Sequence, residues 1–132
     1  MMRECGMNPL GCTFFGAGDQ ADLDCLEASL RQHRLQQQQQ ATSRPSSADG
    51  VDYLFAPSGG VSAVFTEFPS NPLLKCHDLR RLSRLAHEFG FLLVVDDTVG
   101  NFANTDLLHT QGLRVDVVCS SLTKIFNGRG DW

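Results

Sequence analysis

A chain of 132 residues with a formal charge of −4 has room for one layered core and not for two. Hydrophobic residues at 42% and charged residues at 20% are ordinary for a globular domain, and the acidic balance excludes the footprint of a nucleic-acid or anionic-membrane partner. Five cysteines (Cys5, Cys12, Cys25, Cys76 and Cys119) form no C-x-x-C pair, no apolar run is long enough for a membrane span and none reads as a secretion signal, so a cytoplasmic setting without a disulfide framework is expected.

In chain order, residues 1–11 are a ragged start rich in Gly, Met and Pro, and Cys12 to Phe15 is a short apolar run. From about Asp19, a capping residue, Leu23, Leu26 and Leu30 recur at helical spacing, so residues 1–35 read as an N-terminal segment with one helix. The five glutamines Gln36 to Gln40 and the Ser/Pro-rich stretch after them offer no apolar face. Residues 36–50 are therefore expected to be a disordered insertion. The remainder, 51–132, reads as one α/β domain. Val61 to Thr66 is a strand closed by Pro69 and Pro72. Asp78 to Phe89 is an amphipathic helix, with Leu79, Leu82, Leu85, Ala86 and Phe89 on one stripe and Gly90 as its stop. Phe91 to Val95 is a continuous apolar strand of the kind buried on both faces of a parallel sheet. A short helix over Asn104 to His109 and a strand over Val115 to Cys119 complete a strand–helix–strand–helix–strand order.

In sheets of this kind ligands bind beyond the carboxyl ends of the strands. The segments there are Glu67 to Pro72, Asp96 to Gly100 and Ser120 to Lys124, and the polar chemistry concentrates in them. Asp96 is a carboxylate ending a buried strand, which is costly unless it meets a cation or donors. Ser121 and Thr123 lie two apart, so in an extended stretch their hydroxyls point the same way, and Lys124 follows directly. An anion for a ring cation, two hydroxyls for a phosphate and an amine for an aldehyde are what pyridoxal phosphate requires. A carboxylate near the pyridine nitrogen contributes about 4 kcal/mol at 4 Å and an effective dielectric near 20, which holds the ring protonated and electron-withdrawing.

Three motifs carry a family resemblance. Thr66-Glu67-Phe68-Pro69-Ser70-Asn71-Pro72-Leu73-Leu74 resembles the acidic-aromatic-Pro-Ser-Asn-Pro signature of the Cys/Met-metabolism pyridoxal enzymes. Val94-Val95-Asp96-Asp97-Thr98-Val99-Gly100-Asn101-Phe102 resembles their cofactor-aspartate segment, and Ser120-Ser121-Leu122-Thr123-Lys124-Ile125-Phe126-Asn127-Gly128 their lysine segment. With Phe14-Phe15-Gly16-Ala17-Gly18 they are most similar to the cystathionine gamma-synthase branch found in fungi.

The resemblance implies an α/β fold of the type I, aspartate aminotransferase-like class, of which this chain holds part of the large parallel-sheet domain. It implies that Lys124 links to the cofactor aldehyde, Asp96 pairs with the pyridine nitrogen, and Ser121 and Thr123 hold the phosphate. Asn71 would sit near the phenolic oxygen or the substrate carboxylate, with Thr98 against the ring. The implied reaction is gamma-replacement on an activated homoserine ester by cysteine, with Lys124 shuttling protons. The family's ring-stacking tyrosine, its backbone phosphate donors and its carboxylate-gripping arginine have no counterpart here, and Asp97 stands where many relatives have asparagine or glutamate. A homo-oligomeric family member, truncated and weak or inactive alone, is the expectation. The alternative is a catalytically dead fragment serving at most as a binding or dimerisation module.

Other patterns are weaker. Gly16-Ala17-Gly18-Asp19-Gln20-Ala21 fits a dinucleotide fingerprint, but the strand before it is very short and no second strand with a ribose-binding acid follows. Ser121-Leu122-Thr123-Lys124 fits the S-x-x-K of acyl-enzymes, but no S-D-N or K-T-G follows and the serine is expected to end a strand rather than open a helix. His33, His77, His87 and His109 lack metal-ligand spacing, so no metal site is expected.

Overall fold

A computed structural model describes residues 12–41 and 60–127. Six elements follow one another: α1 (Gln20–Ala41), β1 (Ala63–Glu67), α2 (Leu79–Phe89), β2 (Leu92–Asp96), β3 (Val117–Cys119) and α3 (Leu122–Phe126). The strands form one parallel sheet in the order β1-β2-β3. Glu67, Asp96 and Cys119 stand level at the carboxyl end, because Glu67 pairs with Asp96 and Asp96 with Cys119.

The leucines of α1 and the stripe of α2 are buried against β2. Leu23, Leu26 and Leu30 join Leu79, Leu82, Leu85, Ala86 and Phe89 over Phe91, Leu93 and Val95. Arg81 ties the two helices on their wetter side, reaching Asp24 at 2.6 Å and Glu27 at 2.8 Å. The guanidinium of Arg34 lies 4.0 Å from the Phe89 ring centroid, covering the end of that core. α2 begins at Asp78, whose carboxylate accepts from the Arg81 amide at 2.9 Å, and ends at Gly90 in the left-handed region (φ 78°).

Four expectations need correction. The glutamine tract, expected to open a disordered insertion at residue 36, continues α1 through Ala41. Glutamine is a good helix former, and extending an anchored helix requires no new nucleation. The rest of that segment, 42–50, lies outside the described residues. Residues 104–109 form turns instead of a helix, because the Asp106 carboxylate bonds the backbone and side chain of His109 at 2.9 Å and closes a local turn. Leu107 alone reaches the core from there. Third, β2 is covered on one face only by the described residues. Phe91, Leu93 and Val95 are fully buried while Leu92 is 51% exposed, and Phe65 at 64% and Val117 at 45% extend the open apolar face. Last, Ser121 opens a helix where an extended stretch was expected. Strand boundaries shift by a residue or two, with β1, β2 and β3 starting later than their apolar runs.

Candidate functional site at the strand ends

The three loops beyond β1, β2 and β3 meet at one end of the sheet. Backbone bonds extend the ladder past the strands: the Phe68 amide donates to the Asp96 carbonyl at 2.9 Å, and the Asp97 amide to the Cys119 carbonyl at 3.0 Å. The second loop lies against the first at Gly100. A β-carbon there would come within 3.0 Å of the Phe68 carbonyl oxygen and 3.2 Å of Pro69 Cδ, so only glycine lets the two approach this closely.

Asp96 is half-buried at the end of β2. Its Oδ1 accepts from the Thr98 amide at 2.9 Å and the Thr98 hydroxyl at 2.6 Å, and its Oδ2 has no hydrogen-bond partner among the described residues. Thr98 Oγ1 in turn accepts from the Ser121 amide at 2.8 Å. Asp96 is thus connected through one hydroxyl to the residue that starts α3, and Lys124 lies on the first turn, its amide donating to the Ser121 carbonyl at 3.1 Å. Lys124 and Thr123 are exposed, and among the described residues the Lys124 ammonium makes no ion pair. Ser121 occupies the N-cap position, yet its hydroxyl makes no cap bond. The helix places Thr123 and Ser121 on a helical rather than an alternating spacing. One ground for setting aside S-x-x-K therefore falls, since the serine does open a helix; the absence of its partner motifs remains.

Asn71 belongs to the β1 loop. Its amide donates to Glu67 Oε2 at 2.8 Å, and a turn closed by Leu74 to Ser70 (2.7 Å) and Lys75 to Ser70 Oγ (3.1 Å) holds it at the surface. Behind it, Thr66 Oγ1 and His77 Nε2 are 2.9 Å apart, with the His77 ring edge-on to Phe68 at 5.6 Å. Burial holds the His77 pKa below its ordinary value, against the opposing pull of Asp78. Burial first, and then the carboxylates of Asp96 and Asp97, push the Cys119 thiol up.

Asp97, given no role by the sequence reading, is a buried carboxylate at the strand ends. It is 1% exposed; its Oδ1 accepts from the Ser120 hydroxyl, and its Oδ2 is buried without a partner among the described residues. The signal was available, because residues 91, 93, 95 and 97 share one parity and strand alternation carries the buried face through Asp97.

The groups present suit pyridoxal phosphate in kind: one oxygen of a strand-end carboxylate, the hydroxyls of Ser121 and Thr123 and the Lys124 amine, each without a partner among the described residues. The glycine loop Gly16–Gly18 does not suit a dinucleotide. The amides of Ala17 and Gly18 already donate to Asp22 Oδ2 at 2.9 and 2.7 Å, and no strand precedes them among residues 12–15. A shallow depression elsewhere, lined by Ser83, Arg84, His87 and Arg114, contains none of the residues above. Among the described residues there is no group of three or more potential ligands that could hold a metal, and no helix long and apolar enough to cross a membrane.

Comparison with known proteins agrees with this chemistry. The sequence profile described as "Cys/Met metabolism PLP-dependent enzyme" matches residues 25–132. A cystathionine gamma-synthase of Neurospora crassa is 41% identical over 121 residues, covering 92% of this chain and 15% of that protein. A cystathionine gamma-synthase of Saccharomyces cerevisiae is 56% identical over 68 residues, covering 52% of this chain and 10% of its own length. An alanine racemase, ungC, of Aspergillus violaceofuscus is 38% identical over 121 residues, 92% of this chain and 17% of that protein. The chain thus spans only a small part of these relatives, and their names cover more than one reaction. No solved structure matches.

Proposed function

Because this chain belongs to the Cys/Met-metabolism PLP-dependent enzymes, we propose that its three strand-end loops form the pyridoxal-phosphate site of a cystathionine gamma-synthase-like enzyme with a type I fold. The observation that carries this reading is the hydrogen-bonded path from Asp96 through Thr98 to Ser121, which keeps the ring-nitrogen partner and the lysine-bearing helix at one end of the sheet.

In this reading Lys124 would hold the cofactor through the cofactor's aldehyde, and Asp96 would keep the pyridine nitrogen protonated. Ser121 and Thr123 donate to the phosphate, Asn71 orients the phenolic oxygen or the substrate carboxylate, and Thr98 lies beside the ring. When bound, the cofactor supplies the electron sink for charge developing on the substrate. Lys124 would move protons between substrate carbons while cysteine sulfur bonds to Cγ of the activated homoserine ester and the Cγ–O bond breaks, the acyloxy group leaving as a free carboxylate. This is the activity of the whole protein, a cytoplasmic homo-oligomer on this reading. The open apolar face around Phe65, Leu92 and Val117 favours a second reading, in which the chain works as a docking or dimerisation module.

The sequence contains two lysines, Lys75 and Lys124, so cofactor capture has an internal control. Incubation with pyridoxal phosphate, borohydride reduction and peptide mapping should place the label on Lys124 and leave Lys75 largely free, and Lys124→Ala should abolish it. Equal labelling of both lysines contradicts the cofactor role and leaves the docking reading.

A further inference from the structure

The proposed roles make no use of Asp97 or Ser120, although Asp97 is the most buried charged side chain described. A residue needed only for packing there would carry no charge, since a buried carboxylate with one donor is poorly compensated. Its one side-chain bond goes to Ser120, the residue that leaves β3.

The surroundings explain what that bond does. β3 has three residues, and the β2–β3 ladder ends with the Asp97 amide on the Cys119 carbonyl. Beyond that point side chains take over, residue by residue. Asp97 holds the hydroxyl of Ser120, and Thr98 holds the amide of Ser121 at 2.8 Å while donating to Asp96 at 2.6 Å. α3 has five residues, too few to be stable alone, and buries none of them; near its far end the Phe126 ring lies 6.1 Å from the Phe102 ring. Its placement therefore depends on how it starts.

We infer that Asp97 and Thr98 are positioning residues: gripping Ser120 and Ser121 in succession, they clamp the start of α3 so that Lys124 keeps a fixed register with Asp96. The functional half of this inference rests on the reading that Lys124 and Asp96 share one ligand. The clamp itself is a property of the cofactor-free chain.

Amide hydrogen exchange followed by NMR separates the two halves. In the cofactor-free chain, Thr98→Val and Ser120→Ala should each speed exchange over Ser121–Phe126 about tenfold, the size of one lost hydrogen bond. Thr98→Ser, which keeps the hydroxyl, should stay at the parental rate, and the α2 amides of Leu85 and Ala86 should not change. Unchanged exchange over Ser121–Phe126, or an equal rise in α2, overturns the clamp. With pyridoxal phosphate and borohydride, the ratio of Lys124 to Lys75 labelling should fall in Thr98→Val and recover in Thr98→Ser. A ratio that stays parental while exchange rises overturns the positioning role. Equal labelling already in the parent chain refutes the cofactor site and leaves the exchange result to decide the clamp.

Discussion

Asp96 and Asp97 are neighbours in sequence with opposite surroundings. Asp96 is half-buried with an unengaged oxygen at the strand end, whereas Asp97 continues the buried row of Phe91, Leu93 and Val95. The sequence exposes this difference only if strand parity is carried one residue past the apolar run. Asp96 stands out as the polar end of a hydrophobic stretch, and Asp97 looks like its echo. Thr98 was picked out by the resemblance, but the double use of its hydroxyl was not legible, because that depends on where β3 delivers Ser121. Cys119 offers a probe beside these carboxylates. With its thiol pushed up by burial and by Asp96 and Asp97, it should alkylate more slowly near neutral pH than the exposed Cys12, Cys25 and Cys76, as measured by mass spectrometry of a timed iodoacetamide reaction. His77 supplies a second test. Its pKa is lower folded than unfolded, so the folded state binds fewer protons, and stability is lost as pH falls from the ordinary value of 6.5 through the folded value. Thermal denaturation across that window should show a smaller acid loss in His77→Gln; an unchanged slope would assign the loss to other groups.

Among the elements, α2 was the most legible, since its stripe, its Asp78 cap and its Gly90 stop are all local signals. β1, β2 and β3 were recognisable as strands, with ends set by the ladder and not by the apolar runs. The helical length of α1 was the least legible. Glutamines carry no amphipathic signal, so their conformation follows from the helix already anchored by Leu23, Leu26 and Leu30. The short helix expected at residues 104–109 failed for the opposite reason: no packed face stood against local Asp106 bonds. α1 is held to α2 chiefly by burial of its leucines, with the ion pairs of Arg81 and Glu88 across the two helices secondary. Leu30→Ala, at a site with no exposure, should destabilise the chain by about 3 kcal/mol in urea unfolding. A loss under about 1 kcal/mol would mean that α1 is not part of the cooperative core.

At the scale of the molecule, parallel sheets are normally covered on both faces, yet the described residues cover one. The parallel order was visible in the alternation of patterns along the chain. The exposed second face was not, because Phe91 to Val95 reads the same whether one side or both are buried. The same geometry brings the chemistry of three loops to one edge, and the resemblance carried by the three motifs pointed there because each motif ends a strand. Its roles require that the hydroxyls and the amine act on one molecule. The direct measurement is the yield of borohydride-fixed label at Lys124 from pyridoxal phosphate and from pyridoxal, which lacks the phosphate, in the parent chain and in Ser121→Ala/Thr123→Val. The parent should prefer the phosphorylated form, and the double substitution should erase that preference while pyridoxal labelling stays unchanged. Equal labelling by both compounds in the parent, or a preference that survives the loss of both hydroxyls, would mean that these residues do not share a ligand.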